Sequence, residues 1–181
     1  MQEVKRIDVN GLIFKPYLSE ERIKERINAI GQEITAKYKG QRPLFLGVLN
    51  GAFIFAADLV RACDLECEIS FIKLSSYDGL ASSGSLQTHI GLSEDIKDRI
   101  VILVEDVVDT GKTMHQFLPE LKKLKPARLE LATLFLKPDA LQHQVDIDYT
   151  GFEIPSDFII GYGLDYNGYG RNLRSVYQLA E

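Results

Sequence analysis

Three carboxylates stand directly before a segment that could bind a phosphate. Glu105, Asp106 and Asp109 follow an apolar run, and the tetrapeptide TGKT comes next at residues 110–113. Where a helix begins, its first backbone N–H groups lack intrahelical partners and can converge on one phosphate, which Gly111 would let approach closely. Ionised carboxylates only accept hydrogen bonds, so beside a phosphate they need hydroxyl donors or a divalent cation. The pattern predicts a sugar phosphate, with its hydroxyls at the acids and its phosphate at TGKT.

Two better-known phosphate motifs do not fit this stretch. A P-loop requires GxxxxGK[ST], and counting back from Gly111 and Lys112 puts Asp106 where the first glycine should stand. A dinucleotide fingerprint requires GxGxxG after an early strand, and the sequence has none there. Taken alone, the cluster is also compatible with acids that cap an ordinary helix N-terminus.

The flanking sequence predicts strands that alternate with helices. An isoleucine stripe predicts a first helix that begins after Ser19 as N-cap and ends before Gly40, through Ile23, Ile27, Ile30 and Ile34. Strands are predicted at residues 43–49, 66–74, 89–92, 100–104, 128–136 and 157–163. Helices are predicted at residues 52–62 and after TGKT, where Pro119 should kink the helix or stop it near Leu118. This order indicates a mainly parallel sheet covered on both faces, with ligands beyond the carboxyl ends of its strands.

One loop is too long and too polar to be a simple connection. Residues 75–87, SSYDGLASSGSLQ, contain only Leu80 and Leu86 as aliphatic anchors. Loops of this length inside a compact domain are often functional lids, although plain disorder gives the same composition.

Composition excludes several classes of protein. The formal charge of −5 disfavours a general nucleic-acid binder, and no apolar run approaches the roughly 20 residues that span a membrane. The start, MQEVKRIDVNG, has no signal-peptide pattern, so a cytoplasmic location is expected. Cys63 and Cys67 suggest neither a disulfide framework nor a zinc site. His89, His115 and His143 show no ligand spacing and are expected to be surface or packing residues.

The segment VILVEDVVDTGKT resembles the phosphoribosyl-diphosphate motif of the type I phosphoribosyltransferases. Other segments are similar, in order, to the hypoxanthine-guanine branch: LFLGVLNGAFIFAADLV, KLSSYDG, LATLFLKP and TGFEIPSDFIIGYGLDYNGYGRNL. The resemblance implies the α/β fold of that family, a mainly parallel sheet flanked by helices. It also implies a single domain over residues 1–181, with a small hood formed by residues 1–18 and 138–181.

The resemblance also implies a reaction. A 5-phosphoribosyl group would move from 5-phosphoribosyl 1-diphosphate to hypoxanthine or guanine, giving the nucleotide and diphosphate with Mg²⁺ as cofactor, in a homodimer or homotetramer. A regulator that senses the diphosphate or a nucleotide, and a xanthine-preferring transferase, stay open as alternatives.

Site residues follow by similarity. Asp109 would manage the proton at the purine N7. Ribose 5-phosphate would be bound by Glu105, Asp106, Thr110, Gly111, Lys112 and Thr113. Diphosphate would be bound by Leu49, Asn50, Gly51 and Arg171. The base would be met by Lys137, Phe158, Ile159 and Asp165, with Lys137 donating to the 6-oxo group. Ser76 and Tyr77 would form the lid, and Mg²⁺ would be associated with Glu105, Asp106 and Asp165.

Two residues depart from the family pattern. Pro119, in the helix after TGKT, lies well past the predicted phosphate site and should not alter it. Asn50 stands where many relatives carry Lys or Arg, so either diphosphate affinity falls or Arg171 and Mg²⁺ take over that contact. The resemblance also implies a non-proline cis peptide between Leu49 and Asn50.

Overall fold

The computed structural model describes residues 6–76, 86–92 and 94–180. The strands, in chain order, are β1 Ile7–Val9, β2 Leu12–Leu18, β3 Leu44–Leu49, β4 Glu68–Ser76, β5 Leu86–Ile90, β6 Ile100–Val108, β7 Arg128–Leu136, β8 Tyr149–Glu153, β9 Ile159–Ile160 and β10 Val176–Leu179. The α-helices are α1 Glu20–Lys37, α2 Phe53–Ala62 and α3 Lys112–Lys123, and a 3₁₀ turn covers Pro138–Ala140.

The larger sheet has the strand order β5-β4-β3-β6-β7-β8. Strands β4, β3, β6, β7 and β8 are parallel, and β5 pairs antiparallel with β4 at one edge. One apolar core lies on the α1 and α2 side of this sheet and a second lies on the α3 side. The predicted α/β fold with a mainly parallel, helix-flanked sheet is therefore confirmed. No helix among the described residues has both the length and the hydropathy to cross a membrane.

A smaller antiparallel sheet joins the two ends of the chain. Its order is β1-β2-β10-β9, which agrees with a hood built from the N- and C-terminal segments. The strand predicted at residues 157–163 is too long, because only Ile159–Ile160 is extended. Gly161, Tyr162 and Gly163 all have positive φ, and this ends the strand. Strand β9 belongs to the smaller sheet of the hood, where it pairs with β10, and not to the parallel sheet. The limits of the single domain stay a prediction.

Helix α1 follows its sequence signals closely. Ser19 Oγ accepts a hydrogen bond from Arg22 N at 3.4 Å, and the isoleucine stripe is fully buried. Helix α3, in contrast, does not stop near Leu118 but continues through Pro119 to Lys123. Met114, Phe117 and Leu121 bury one face of α3, and this packing offsets the hydrogen bond that proline cannot donate.

Strand β6 is longer than the predicted residues 100–104, because its pairing with β7 continues to Val108. Glu105 and Asp106 thus lie within the last part of a strand. The predicted strand at residues 89–92 is β5, shifted to Leu86–Ile90.

A buried carboxylate near the start of β7 yields a stability prediction. Glu130 is 6% exposed, receives a hydrogen bond from the Tyr149 hydroxyl at 2.9 Å and lies 2.6 Å from Lys37 Nζ. Burial alone would raise the pKa of Glu130, but its contacts with Lys37 and Tyr149 outweigh that effect and the net pKa is lowered. Its ionised form therefore stabilises the fold above the ordinary pKa of 4.5, and this contribution disappears as pH falls through the lower folded value.

We expect Glu130→Gln to lower the free energy of unfolding by about 1–3 kcal/mol at pH 7, with the difference from wild type shrinking below pH 4.5. Denaturant titrations at several pH values measure this. Glu120→Gln is the control, since Glu120 pairs with Lys123 at the exposed surface of α3, and this substitution should change stability by less than about 0.5 kcal/mol. A constant difference between Glu130→Gln and wild type across the pH range would contradict the assignment.

Candidate active site

Three neighbouring parallel strands end at one edge of the sheet and bring distant residues together there. Strand β3 ends at Leu49 and is followed by Asn50 and Gly51, the end of β6 carries the acids, and Lys137 follows β7. Lys137 N donates to Val108 O at 3.0 Å, which extends the ladder to this edge. Because parallel strands align their carboxyl ends, residues from three separate motifs form one surface.

The loop after β3 lies directly against the acids of β6. The peptide between Leu49 and Asn50 is cis, as the resemblance implied. A Cβ atom on Gly51 would lie 1.5 Å from Asp106 Oδ2, so no larger residue fits without displacing that carboxylate. A cleft of about 330 Å³ opens here, lined by Val48, Leu49, Gly51, Leu74, Glu105, Asp106 and Thr113. Asn50, which stands in sequence between two of these lining residues, is exposed.

Glu105 and Asp106, near the end of β6, have few contacts that offset the cost of burying their charged forms. Glu105 Oε2 is buried and has no hydrogen-bond partner among the described residues. Burial, and then the charge of Asp106, raise the pKa of Glu105 well above its ordinary value. Burial also raises the pKa of Asp106 to about 6, against the opposing effects of the Val107 N–H and of Arg171. Hydroxyl donors or a cation would satisfy these oxygens.

This pair fits one mode of divalent-cation binding. No three His, Cys, Asp or Glu side chains among residues 6–76, 86–92 and 94–180 are grouped as a complete ligand set. Mg²⁺, however, is usually held by one or two carboxylates together with substrate oxygens and waters. A buried carboxylate oxygen without a partner on Glu105 suits such a partial site.

The TGKT segment forms the start of α3. Gly111 precedes the helix with φ 76°, and its carbonyl accepts from His115 N at 2.9 Å. A small cleft of about 90 Å³ is lined by residues 107–114 together with Glu105. The first N–H groups of α3 therefore face the same edge as the acids, as the anion-binding interpretation requires.

Residues 142–143 contact the turn at Thr110 and Gly111, and the sequence analysis did not predict this contact. Gln142 N and His143 N donate to Thr110 O at 3.0 and 3.1 Å. A Cβ atom on Gly111 would lie 2.6 Å from His143 O. His143 also stacks on His115, with ring centroids 5.2 Å apart, so both histidines are packing residues as predicted. The local sequence gives no signal for this support, because it depends on backbone contacts over about thirty residues of separation.

An ion pair joins two of the residues assigned to the base. Lys137 Nζ lies 2.8 Å from Asp109 Oδ2, although the residues are 28 positions apart. The Lys137 side chain is 9% exposed and that of Asp109 is 49% exposed, so the pair presents its acid toward solvent. A buried donor and an exposed acceptor side by side form a polar edge that a ring with adjacent polar atoms could contact.

The hood contributes the aromatic residues. Phe158 is 41% exposed, packs on Phe14 with ring centroids 6.2 Å apart and meets Tyr166 edge-on at 5.8 Å. Ile159 is buried in β9, where it pairs with Gln178. The ring contacts of Phe158 are thus with hood residues, and its exposed face is free to stack on a planar ligand.

The C-terminal segment, residues 161–175 between β9 and β10, approaches the loop after β3. Arg171 lies 2.6 Å from Asp165 Oδ1 and donates to Gly163 O at 2.7 Å. The other oxygen of Asp165 accepts from Gly168 N at 2.6 Å, so both carboxylate oxygens are engaged within the protein. A Cβ atom on Gly163 would lie 2.1 Å from Gly51 O. Metal binding by Asp165, which stays a prediction, would require its pair with Arg171 to open.

The lid assignment falls mostly outside the described residues. Ser76 is the last residue of β4, and Tyr77 lies in the part of the chain that the structure does not describe.

The chain is similar to known proteins over most of its length. Residues 15–167 match the family model described as the phosphoribosyl transferase domain. The chain is 39% identical over 176 residues to the hypoxanthine-guanine phosphoribosyltransferase of Aquifex aeolicus, covering 96% of this chain and 99% of that protein. It is 40% identical over 155 residues to the hypoxanthine phosphoribosyltransferase of Buchnera aphidicola, covering 84% and 88%.

Solved structures agree with these relatives. A hypoxanthine-guanine phosphoribosyltransferase from Bacillus anthracis superposes with a TM-score of 0.87 at 32% identity, covering 92% of this chain and 98% of the other. A hypoxanthine phosphoribosyltransferase from Staphylococcus aureus gives 0.87 at 33% identity, covering 92% and 91%.

Proposed function

Since the chain belongs to the phosphoribosyltransferase domain family, in its hypoxanthine-guanine branch, we propose that the carboxyl edge of the parallel sheet is its active site. The protein is an enzyme of purine salvage that transfers the phosphoribosyl group of 5-phosphoribosyl 1-diphosphate to hypoxanthine. Use of guanine as well is part of the proposal. The observation that carries the site assignment is the buried Oε2 atom of Glu105, which has no hydrogen-bond partner in the described part of the chain and lies beside Asp106, a few residues before the N–H groups of α3.

The ribose and its phosphate have complementary positions at this edge. The 2- and 3-hydroxyls of the sugar would donate to Glu105 and Asp106, and the N–H groups of residues 110–113 would hold the 5-phosphate. As diphosphate leaves, the sugar gains oxocarbenium character, as in glycoside cleavage. Burial raises the pKa of both acids, so they ionise more readily beside a positive charge, and in their ionised form they favour that charge electrostatically.

The diphosphate would lie between the loop after β3 and Arg171. That loop offers backbone donors at Asn50 and Gly51, while Arg171 offers a guanidinium that binds phosphate oxygens in pairs. Since Asn50 brings no charge, Arg171 is the cation that we assign to the leaving group. Its pair with Asp165 would have to open or share the diphosphate.

A divalent cation, proposed to be Mg²⁺, would be held by Glu105 and Asp106, with Asp165 as a further candidate ligand. When bound, it supplies positive charge that stabilises the departing diphosphate. Chelation should abolish nucleotide formation, and added Mg²⁺ should restore it.

The base would be recognised by the Asp109–Lys137 pair. A 6-oxopurine carries O6 and N7 on one edge, so Lys137 can donate to O6 while Asp109 accepts the proton at N7 as N9 attacks the sugar. Phe158 would stack on the ring, and Ile159 would contact its edge through the backbone.

A direct assay tests this function. The protein is incubated with 5-phosphoribosyl 1-diphosphate, Mg²⁺ and each of hypoxanthine, guanine, xanthine and adenine, and nucleotide formation is measured. We expect products with hypoxanthine and guanine. Binding of the diphosphate without any nucleotide would favour the regulator instead, and turnover with xanthine above that with hypoxanthine would favour the xanthine-preferring transferase.

Base selectivity gives a second test. In Lys137→Met, the purine O6 loses its donor in a buried position, at a cost of about 1–3 kcal/mol. We expect kcat/KM for hypoxanthine to fall roughly 10–100-fold, while the binding of adenine, measured as its inhibition constant against hypoxanthine, should not weaken. Lys122→Met, at an exposed position on α3, is the control and should behave as wild type. An equal loss for both bases would refute the role in discrimination.

Two further expectations stay predictions. The resemblance implies a homodimer or homotetramer, and the sequence favours a cytoplasmic location.

A further inference from the structure

A second contact joins the C-terminal segment to α2. This helix follows the loop after β3, residues 50–52, which is called the diphosphate loop below. Tyr162 is 3% exposed, and its hydroxyl donates to Asp58 Oδ2 on α2, across 104 positions of sequence. Asp58 also lies 3.6 Å from Arg61 on the next turn of the same helix. Tyr162 has φ 50°, between two glycines with φ 103° and 101°, so a sharp backbone turn directs its side chain inward.

The position of this pair links two parts of the proposed site. Helix α2 begins immediately after the diphosphate loop, since Ala52 N donates to Val48 O at 3.2 Å and Phe53 N to Asn50 O at 3.4 Å. Tyr162 stands between Ile159, which we assign to the base, and Arg171, which we assign to diphosphate. Tyr162 N donates to Leu173 O at 2.8 Å, and Gly163 N to Arg171 O at 3.0 Å.

Two contacts therefore connect the same two segments. One is the backbone approach of Gly163 to Gly51 O, and the other is the side-chain hydrogen bond between Tyr162 and Asp58. Strands β9 and β10 hold the two ends of this segment in the hood, and the two contacts fix its orientation against Gly51 and α2. Burial, and then the hydrogen bond and charge of Asp58, raise the pKa of Tyr162, so the hydroxyl keeps the proton that it donates.

We propose that Tyr162 and Asp58 are positioning residues whose hydrogen bond aligns the base-binding segment with the diphosphate loop. This inference rests on the proposed function. The reaction needs N9 of the base to lie opposite the departing diphosphate at the sugar C1, and the two groups are held by these two segments. Reaction rates respond steeply to such alignment, since a misplacement of about 1 Å can cost roughly 100-fold.

The surroundings of the pair allow its role to be separated from stability. A groove of about 440 Å³ opens beside it, lined in part by Tyr162, Asp58, Arg61 and Arg174. In Tyr162→Phe, Asp58 can therefore take water and keep Arg61 as a neighbour. The chain also contains a matched control: the buried Tyr149 hydroxyl donates to a carboxylate, Glu130, in a contact assigned to the fold and not to the site.

The test compares substrate binding with turnover. For Tyr162→Phe, we expect kcat to fall about 10-fold or more, while the Kd of 5-phosphoribosyl 1-diphosphate alone changes less than about threefold. Tyr149→Phe should lower Tm without lowering kcat per folded molecule. Asp58→Asn, which keeps an oxygen acceptor for the tyrosine hydroxyl, should retain most of the turnover that Asp58→Ala loses. Combining Tyr162→Phe with Asp58→Ala should add no further loss.

Unchanged kcat in Tyr162→Phe, with wild type active, would overturn this inference and leave the proposed function intact. So would additive losses in the double variant, or an equal fall in kcat for Tyr149→Phe. Absence of nucleotide formation by wild type is a different result, because it counts against the proposed function itself.

Discussion

Replacing Asp109 by Asn is expected to slow nucleotide formation from hypoxanthine by roughly 10²–10⁴-fold, the usual contribution of a proton-transfer group. The amide cannot take the N7 proton, but it can still accept a hydrogen bond from Lys137 Nζ, which lies 2.8 Å from Asp109 Oδ2. The geometry that holds Lys137 should therefore survive, and binding should weaken far less than turnover.

Single-turnover kinetics, together with the Kd of hypoxanthine or of the product nucleotide, measure the two effects separately. Asp139→Asn is the control, because Asp139 is an exposed acid in the 3₁₀ turn just after Lys137. If Kd rises as much as kcat falls, Asp109 serves binding and its proton role is refuted.

Replacing Gly51 by Ala is expected to lower kcat/KM by about 100-fold or more. The new Cβ atom would lie 1.5 Å from Asp106 Oδ2, so either the diphosphate loop or the carboxylate must move. Such overpacking typically costs about 1–3 kcal/mol of stability, too little to unfold an ordinary domain. The displaced groups, however, are those assigned to diphosphate and to the ribose hydroxyls.

Calorimetric binding of 5-phosphoribosyl 1-diphosphate should show the loss directly, with circular dichroism to verify the fold. Gly91→Ala is the matched control, because a Cβ atom at Gly91 would have no neighbour within 4 Å among the residues that the structure describes. Binding and turnover like those of wild type in Gly51→Ala would show that this close approach has no part in the site.

Local sequence patterns predicted the elements whose signals are local. The isoleucine stripe with its Ser19 cap predicted α1, because a helix that buries one face has apolar residues at helical spacing. The apolar runs predicted β3, β6 and β7, because parallel strands buried on both faces are apolar at consecutive positions. Strands β1, β2 and β10 of the hood, and β8, escaped prediction, since three to seven residues of mixed character carry little periodicity. Pro119 misled the prediction of α3, where tertiary packing of Met114, Phe117 and Leu121 outweighs the local preference.

For the candidate site, the sequence by itself determined the order of chemical groups along the chain: acids, then a glycine-initiated helix start, at the end of a buried strand. These groups lie within nine consecutive residues, so their proximity follows from the covalent chain, and this one segment suffices to predict a sugar phosphate. Only the tertiary structure decided which groups meet across distance. The contacts of Lys137 with Asp109, of Gly51 with Asp106 and of Tyr162 with Asp58 all arise from strand pairing and helix packing. The physical reason is that alternation and composition specify which face a residue buries, whereas the partner across that face is fixed by the collective packing of the whole chain.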